Sequence, residues 1–495
     1  MTRAKVLHSH LGLALVVGLS AWTVSEIAHV GLIGPQGSVV ALTVLLLGYL
    51  AAEIYRMRSV APKRWLINPV TLCSIVTFII GFGLGNLIYF YPENTLSDLG
   101  LTPEITPWMS KLMLLALMAA ISMWLGYWST AAGRISSWLS TRRWMARILR
   151  QEFNPRLGIL PALALVSLAS RLIQIRLGVF GYSADYERLV ETASIRQYLA
   201  MTEGLGLLAL VVASLNYYSP SPPVRAKAWF WGLLAYEVLF GFLSGFKSQV
   251  IMPFVVAGLC QYLRRTQIPW RWLALLPVGI VAAFAVIEPF RAARYGDSTF
   301  QGTSLENIAG TMVVAAAADN EVPLHDRQIS TGLLLLKRTN TIYTASLGIE
   351  YADTQPLPEE SPAFLADIFL APLYAVIPRA LWASKETTRH GVWYWNEVMR
   401  VDALDVKTSV GMSPFTYLYF AGGGLAVALG FFFLGIVQRV WADRLLAPNT
   451  AGALIVFLLS LHVLAIPDSI FYTIIVELIR VVPIALILQY VLFRR

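Results

Sequence analysis

The chain has 495 residues, of which 57% are hydrophobic and 14% are charged, and its mean hydropathy is +0.63. A soluble domain has roughly 45–50% apolar and 25% charged residues, so this composition excludes an ordinary soluble protein and indicates a polytopic membrane protein. The net charge of +9 does not call for a nucleic-acid partner, because the concentration of basic residues in cytoplasmic loops accounts for most of it.

Apolar runs recur along almost the whole chain, and each is long enough to cross a hydrocarbon core, which takes roughly 20 residues in a helix. The first run continues past Trp22 without a small-residue cleavage site, so we read it as a signal anchor. We predict an all-α polytopic membrane protein with about twelve transmembrane helices, at residues 11–33, 38–55, 67–90, 110–131, 157–177, 199–218, 228–245, 248–263, 272–290, 412–437, 450–466 and 469–491.

Basic residues mark alternate connections between these segments, as the positive-inside rule describes for cytoplasmic loops. Three short connections lack Lys and Arg and are assigned to the outside: residues 34–37, 91–109 and 467–468. We therefore expect both termini in the cytoplasm and one large outer, periplasmic loop between helices nine and ten. The expected division of the chain is helices one to nine, the loop, and helices ten to twelve, at residues 1–290, 291–411 and 412–495. Within the loop, the apolar stretch that begins at Phe364 is expected to be a re-entrant or interfacial helix rather than a further crossing.

Positive charges also occur in segments that this topology places outside or within the membrane. Lys247 lies in a turn, "LSGFKSQVI", between two apolar segments, and Arg171 lies inside an apolar run. Arg291 and Arg294 are one helical turn apart at the end of the ninth segment. A further group follows the apolar stretch 364–377 in "IPRALWASKETTRHG": Arg379, Trp382, Lys385, Arg389 and His390. A solvated loop domain and side chains that reach lipid phosphates are the structural alternatives.

These cations have the chemistry of a phosphate-binding site beside a lipid chain. A guanidinium donates two parallel hydrogen bonds to phosphate oxygens, and a Lys supplies a mobile point charge. Pro378 lacks a backbone N–H and disfavours a helix at Ile377, so the apolar stretch should end there. The side chains expected to face lipid or a polyprenyl chain are Phe369, Leu370, Leu373 and Tyr374.

Three stretches carry a resemblance to a known family. "IPRALWASK" is similar, at Pro378, Arg379, Trp382 and Lys385, to a stretch in the large outer loop of Wzy-type O-antigen and exopolysaccharide polymerases. "SGFKSQVIMPFVV" resembles the turn that opens one of their apolar helices, with Lys247 where Arg is more usual. "SPFTYLYFAGGGLAVALGFFFLGIVQR" is similar to their Gly-rich penultimate region. The chain thus resembles the oligosaccharide repeat-unit polymerases.

The resemblance implies a fold like that of the GT-C glycosyltransferases and a reaction at the outer leaflet of the bacterial inner membrane. The substrate would be an undecaprenyl-diphosphate-linked glycan, and the growing polymer would be transferred to an incoming unit with release of undecaprenyl diphosphate. It implies no nucleotide sugar, no metal and no other cofactor, and the chain lacks an Asp-x-Asp motif and a phosphate loop. Membrane lipids and a chain-length co-polymerase are the expected partners.

Candidate residues follow from this chemistry, which forms an oxocarbenium-like centre and a departing diphosphate. The catalytic candidates are His390, His325 and Arg379, the histidines as bases for the attacking hydroxyl. The expected substrate-binding residues are Lys247, Arg291, Arg294, Arg379, Lys385, Arg389, Arg171 and Trp382. The structural alternatives are that a loop histidine is solvated and that Trp382 belongs to an interfacial aromatic belt. We expect Arg379 and Lys385 to meet Lys247 and Arg291 around one outward cavity.

Two other functions remain open at the level of the sequence. An O-antigen ligase shares the architecture but transfers the glycan to a lipid A core, and only the acceptor separates it from a polymerase. A flippase or transporter of lipid-linked glycan would bind its substrate near the membrane midplane, whereas these cations cluster toward one surface.

Overall fold

The structure is a computed structural model, and it describes residues 3–91, 97, 106–140, 157–184, 186–296, 304–318, 333, 336, 340–358, 361–377, 382, 390–400, 410–446, 454–465 and 471–493. The regular structure of these residues is helical, without a strand. The helices, numbered in chain order, are α1 (Arg3–His29), α2 (Pro35–Val60), α3 (Pro69–Cys73), α4 (Thr106–Trp128), α5 (Thr130–Ser140), α6 (Leu160–Leu177), α7 (Tyr186–Glu191), α8 (Ala193–Glu203), α9 (Leu205–Tyr217), α10 (Ala226–Ser244), α11 (Lys247–Arg265), α12 (Trp270–Gly296), α13 (Leu305–Ala318), α14 (Ile342–Thr354), α15 (Phe364–Val376), α16 (His390–Trp393), α17 (Pro414–Leu445), α18 (Leu454–Ala465) and α19 (Phe471–Phe493).

Two of these helices continue in other helical forms. Helix α3 leads into a π-helix at Ser74–Gly83 and a 3-10 helix at Leu84–Phe90, and α16 leads into a short π-helix at Tyr394–Val398. Asn68 opens α3 by accepting a hydrogen bond from the backbone N–H of Val70, which satisfies one of the donors that a helix start leaves unpaired.

Nine helical segments in the described part of the chain are long and apolar enough to cross a membrane: Val6–His29, Pro35–Val60, Pro69–Tyr89, Pro107–Trp128, Leu157–Ser183, Tyr198–Tyr217, Ala226–Ser244, Trp270–Arg291 and Pro414–Leu445. They coincide with nine predicted crossings, as expected of a polytopic helical membrane protein. The remaining three predicted crossings fall in α11, α18 and α19, which are helical but are not among these nine segments. The count of twelve stays a prediction.

The chain folds into two compact units that interleave in sequence. Unit 1 comprises Met1–Gln151 and Ile329–Ile487, and unit 2 comprises Glu152–Gln328 and Leu488–Arg495. The change from one unit to the other at residue 329 falls inside the range 291–411, which the sequence suggested as a single outer loop.

The second half of that range is part of a helical core rather than a solvated domain. Ile342, Ile349, Phe364 and Tyr394 are all buried in the hydrophobic core of unit 1, together with side chains from α2 and α4. Helix α15 thus begins, at Phe364, against the core of unit 1.

Helix α17 reverses direction inside the segment that the sequence predicted to be one straight crossing. Gly422 (φ 172, ψ 36) and Gly423 (φ 64, ψ −158) both leave the helical conformation, and the values of Gly423 belong to a region that essentially only glycine adopts. The rings of Phe415 and Phe431 stack with centroids 4.8 Å apart, whereas their sequence separation (431 − 415 = 16) would place them about 24 Å apart on a straight helix. Residues 414–421 and 424–445 are therefore the two arms of a hairpin.

The second arm of the hairpin is long enough to cross a membrane by itself, since roughly 20 residues suffice. The first arm packs back into the core of unit 1, where Phe415 contacts Phe82 with ring centroids 4.8 Å apart. The predicted crossing at 412–437 thus contains a helical hairpin, and hydropathy misses it because an apolar glycine turn and an apolar helix look alike in that measure.

We predict that Phe415→Cys and Phe431→Cys, introduced together with Cys73→Ala and Cys260→Ala, can be joined by a short, membrane-permeable bifunctional thiol reagent. The hairpin places the two side chains in contact, so mass spectrometry should find the cross-linked peptides. A pair with the same separation on α12, Ala274→Cys with Phe290→Cys, is the control and should stay unlinked. Equal yields for both pairs, or no link at Phe415 and Phe431, would mean that α17 is continuous.

Candidate functional site

The turn between α10 and α11 in unit 2 places Lys247 at the start of a helix. Gly245 ends α10 in the left-handed region at φ 71, which glycine adopts at no steric cost. The Ser244 hydroxyl oxygen accepts a hydrogen bond from the Phe246 backbone N–H at 3.1 Å. Helix α11 begins directly afterwards at Lys247. The structure therefore confirms the turn that the "SGFKS" sequence predicts.

Arg291 from α12 meets the same turn. Its Nε and Nη2 atoms donate to the Gly245 carbonyl oxygen at 3.1 and 2.9 Å, and its guanidinium carbon lies 4.3 Å from the centre of the Tyr182 ring. A cation is favourable at this place because the carbonyls at a helix C-terminus carry partial negative charge. A guanidinium has five N–H groups, so three remain after these two bonds.

Lys247 is held by a different contact. Its Nζ atom lies 3.5 Å from the centre of the Phe284 ring, a distance at which an ammonium group and an aromatic face attract each other. Lys247 and Arg291 are both partly exposed, so neither charge is sealed inside the protein. Two of the predicted substrate-binding cations thus lie at one turn. Arg291 is hydrogen-bonded to Gly245, and Lys247 follows Gly245 by two residues.

Arg171 has a different setting within unit 2. Its Nη2 atom lies 2.8 Å from Glu237 Oε2 and its Nε atom 3.6 Å from Glu203 Oε1. The side chain is almost fully buried. Arg171 therefore has carboxylate partners within the chain, and this arrangement gives no support to its predicted role in binding a lipid diphosphate.

Several predicted site residues lie outside the described part of the chain. They are His325, Arg379, Lys385 and Arg389. Arg294 lies on α12, one turn beyond Arg291, but its side chain is also outside the described part. That Arg379 and Lys385 lie close to Lys247 and Arg291 stays a prediction.

His390 in unit 1 is buried and paired with a carboxylate. Its Nε2 atom lies 2.7 Å from Oδ2 of Asp367 on α15, and its Nδ1 atom has no hydrogen-bond partner among the described atoms. The rings of Phe364, Tyr417 and Tyr472 surround it, with centroids between 5.3 and 5.7 Å away. His390 is therefore buried in a His–Asp pair, unlike the solvated loop residue of the structural alternative, and its predicted role as a base stays a prediction.

Helix α15 ends where Pro378 predicts. Its last residue is Val376, and Ile377 is extended with φ −83 and ψ 115, as expected for a residue before proline. Arg480 from α19 donates from Nη2 to the Tyr374 carbonyl oxygen at 3.3 Å and from Nε to that of Ala375 at 3.4 Å. These bonds fix the end of α15 immediately before Pro378 and Arg379.

One face of α15 is apolar and exposed. Phe369, Leu370 and Leu373 are exposed, as predicted for side chains that face lipid, whereas Tyr374 is buried and packs on Trp382 with ring centroids 5.8 Å apart. The prediction for Tyr374 was wrong because protein covers its ring, including the ring of Trp382.

Two residues of this region were not assigned a role from sequence, Asp367 and Arg480. Both are ionisable groups within apolar segments, and that is the signal that marks a site at membrane depth. Among the described residues, no group of three or more His, Cys, Asp and Glu side chains is placed to hold a metal ion.

We predict that Gly245→Ala destabilises the protein. An alanine at φ 71 costs roughly 1–2 kcal/mol, and its Cβ would lie 2.9 Å from both Phe290 Cε1 and Tyr182 Cβ. Gly232→Ala on α10 is the control, because nothing lies within 4 Å of the added Cβ and alanine favours a helix interior. The thermal unfolding midpoint in detergent should fall for Gly245→Ala and stay or rise for Gly232→Ala, and equal midpoints would contradict the turn geometry.

Comparison with known proteins identifies one family. The family described as "Domain of unknown function (DUF8712)" matches residues 167–490, a stretch that includes both the Gly245 turn and the His390–Asp367 pair. No curated protein and no solved structure matches the chain. Because the matched stretch (490 − 167 + 1 = 324 residues) covers more than half of the 495 residues, the chain belongs to the DUF8712 family.

Proposed function

We propose that this protein is a membrane glycosyltransferase that joins undecaprenyl-diphosphate-linked oligosaccharide units at the outer leaflet of the bacterial inner membrane, as a polysaccharide polymerase. The observation that carries the proposal is the placement of Lys247 and Arg291 at one turn, each against an aromatic ring. The resemblance of "SGFKSQV" and "IPRALWASK" to the Wzy-type polymerases supports it.

The reaction needs stabilisation of a leaving diphosphate. The bond between the anomeric carbon of the growing glycan and its diphosphate oxygen breaks, and a bond from that carbon to a hydroxyl oxygen of the incoming unit forms. Undecaprenyl diphosphate leaves with the bonding electrons and gains negative charge. Arg291, already oriented by Gly245 and Tyr182, and Lys247 are suited to bind that charge, since groups fixed in advance stabilise it without reorganisation.

The acceptor hydroxyl must also lose a proton, and the base that takes it stays a prediction. Within unit 1, His390 has the chemistry of a base. With Asp367 accepting a hydrogen bond from Nε2–H, the lone pair of the imidazole is on Nδ1, the nitrogen that has no partner among the described atoms. The carboxylate also stabilises an imidazolium, so His390 is a candidate base and Asp367 its positioning residue.

A transporter of lipid-linked glycan is the second candidate. It is favoured by the buried Arg171–Glu237 ion pair. Charged groups inside the membrane are common in transporters. A transporter would move the lipid-linked unit across the bilayer without lengthening the glycan.

The two candidates are separated by reconstitution. Purified protein in vesicles is supplied with undecaprenyl-diphosphate-linked oligosaccharide, and the glycan products are sized by electrophoresis while accessibility to an external lectin reports translocation. The proposal expects a ladder of lengthened glycans and release of undecaprenyl diphosphate. Translocation without lengthening would establish a transporter, and transfer only to an added lipid A core would establish a ligase.

We predict that Arg291→Gln lowers the rate of glycan lengthening by about 10²-fold, the usual cost of removing one donor that stabilises developing charge. Arg291→Lys should restore little of the lost rate. A Lys ammonium group cannot replace the planar guanidinium, which can bond to Gly245 and to a second acceptor at the same time. Arg265→Gln, an exposed residue at the other end of α11, is the matched control and should keep the wild-type rate. Full activity of Arg291→Lys would show that only charge matters at this position.

We predict that His390→Gln lowers the turnover rate by about 10²–10⁴-fold, which is the usual contribution of a general base. Asp367→Asn should lower it as well, because the amide no longer fixes the tautomer with its lone pair on Nδ1. Binding of undecaprenyl diphosphate should be unchanged in both variants. A His390→Gln turnover rate equal to that of the wild type would contradict the assignment of the base.

A further inference from the structure

A network of polar side chains lies around Gly204 in unit 2, where α8 ends at Glu203 and α9 begins at Leu205. Gly204 keeps helical backbone angles, φ −59 and ψ −15, so the two helices are nearly continuous. The Ser167 hydroxyl on α6 donates to the Glu203 carbonyl oxygen at 2.8 Å, and the Ser170 hydroxyl donates to that of Leu199 at 2.7 Å. Side chains of α6 thus bond to carbonyls next to Gly204, within a segment long and apolar enough to cross a membrane.

The charges in this network do not balance. The Arg171 guanidinium is bonded to Glu237 at 2.8 Å and lies 3.6 Å from Glu203, and the side chains of Arg171, Glu237 and Glu203 are only 6%, 7% and 19% exposed. The guanidinium carbon also lies over the neutral rings of Tyr236 and Phe240 at 4.8 and 4.9 Å. One positive charge therefore faces two carboxyl groups.

Among the residues that the structure describes, no other charged side chain faces Glu237. Arg171 approaches it from α6 and Glu203 from α8, Tyr236 precedes it on its own helix, and α9 presents Gly206. With both carboxyl groups ionised the network would carry a net negative charge, and a buried uncompensated charge is costly in a medium of low dielectric constant. A further positive species is needed to neutralise it.

One carboxylate oxygen is free to receive that species. Glu237 Oε1 is buried and has no hydrogen-bond partner among the described atoms. It lies against Gly206, where an added Cβ would be 2.1 Å from Oε1 and 2.7 Å from the Ser167 hydroxyl oxygen. Glu203, by contrast, accepts a hydrogen bond from Gln174 Nε2 at 3.1 Å.

The ligand that fits this place is a proton. A metal cation such as Ca²⁺ needs six or more oxygen atoms at about 2.3–2.6 Å, whereas one side of Glu237 Oε1 is closed by Gly206 and another neighbour, Arg171, is itself a cation. A proton needs no cavity, and its binding brings the net charge of Arg171, Glu237 and Glu203 to zero.

We propose that the Arg171–Glu237–Glu203 network is a proton-binding site that holds a single proton, with Glu237 Oε1 as the atom that takes it from solution. The proton forms an O–H bond at Glu237, and no other bond breaks. The site is independent of the glycosyltransferase function proposed above. It gives this unit a group at membrane depth that can take up and release a proton.

The test is infrared spectroscopy of the full-length protein in lipid nanodiscs at neutral pH, which detects the C=O stretch of a protonated carboxylic acid. Difference spectra between the wild type and each variant isolate the band of this site. The proposal expects Glu237→Gln to remove the band. It also expects Glu203→Gln to remove it, although Glu237 is still present, because one carboxylate then faces one guanidinium and the charges balance.

Two further variants complete the design. Arg171→Gln should increase the band, since both carboxyl groups then lack a cation, and Glu306→Gln, an exposed residue of unit 2, should leave it unchanged. Circular dichroism confirms that each variant is folded, and Glu203→Gln, at the least buried of the three positions, keeps the test valid if Glu237→Gln does not fold. If neither the Glu237→Gln nor the Glu203→Gln difference spectrum contains a carboxylic acid band, the proposal is overturned. The network would then be ionised and purely structural.

Discussion

Every backbone polar group inside a hydrocarbon core must find its hydrogen-bond partner within the protein, and the ends of two described helices, α10 and α15, follow that constraint. At Gly245 the partner of the backbone carbonyl is the guanidinium of Arg291. At the end of α15 the carbonyl of Tyr374 accepts from the guanidinium of Arg480. These two helix ends therefore hold cationic side chains at defined places in an otherwise apolar chain.

Under the function proposed above, this constraint gives Arg291 two roles that support each other. As the partner of the Gly245 carbonyl it stabilises the end of α10, where a cation is favourable. The same bonds, with the Tyr182 ring beneath it, fix the direction of the guanidinium before any substrate arrives. A side chain held in this way loses little further freedom on binding an anion, which is how a structural contact becomes a binding group.

Some of the fold and of the candidate site follows from the sequence, for local reasons. The end of α15 follows from the fixed backbone of Pro378, the turn at Gly245 follows from "SGFKS", and most spans follow from hydropathy. The pairing of Arg171 with Glu237, 66 residues apart, and that of His390 with Asp367, 23 residues apart, depend on packing that no local pattern contains. Hydropathy does not predict the hairpin at Gly422 and Gly423, because it records how apolar a residue is and not the direction in which the chain runs.

The central claim is that the Gly245 turn binds a lipid diphosphate, and phosphorus NMR tests it most directly. Undecaprenyl diphosphate in detergent micelles is titrated with the wild-type protein and with the double variant Lys247→Gln/Arg291→Gln, which is first shown to be folded by circular dichroism. The account predicts that the wild type shifts and broadens both phosphate resonances and that the double variant leaves them as they are in protein-free micelles. Equal shifts with both proteins would contradict it, since the diphosphate would then bind elsewhere or only to the micelle.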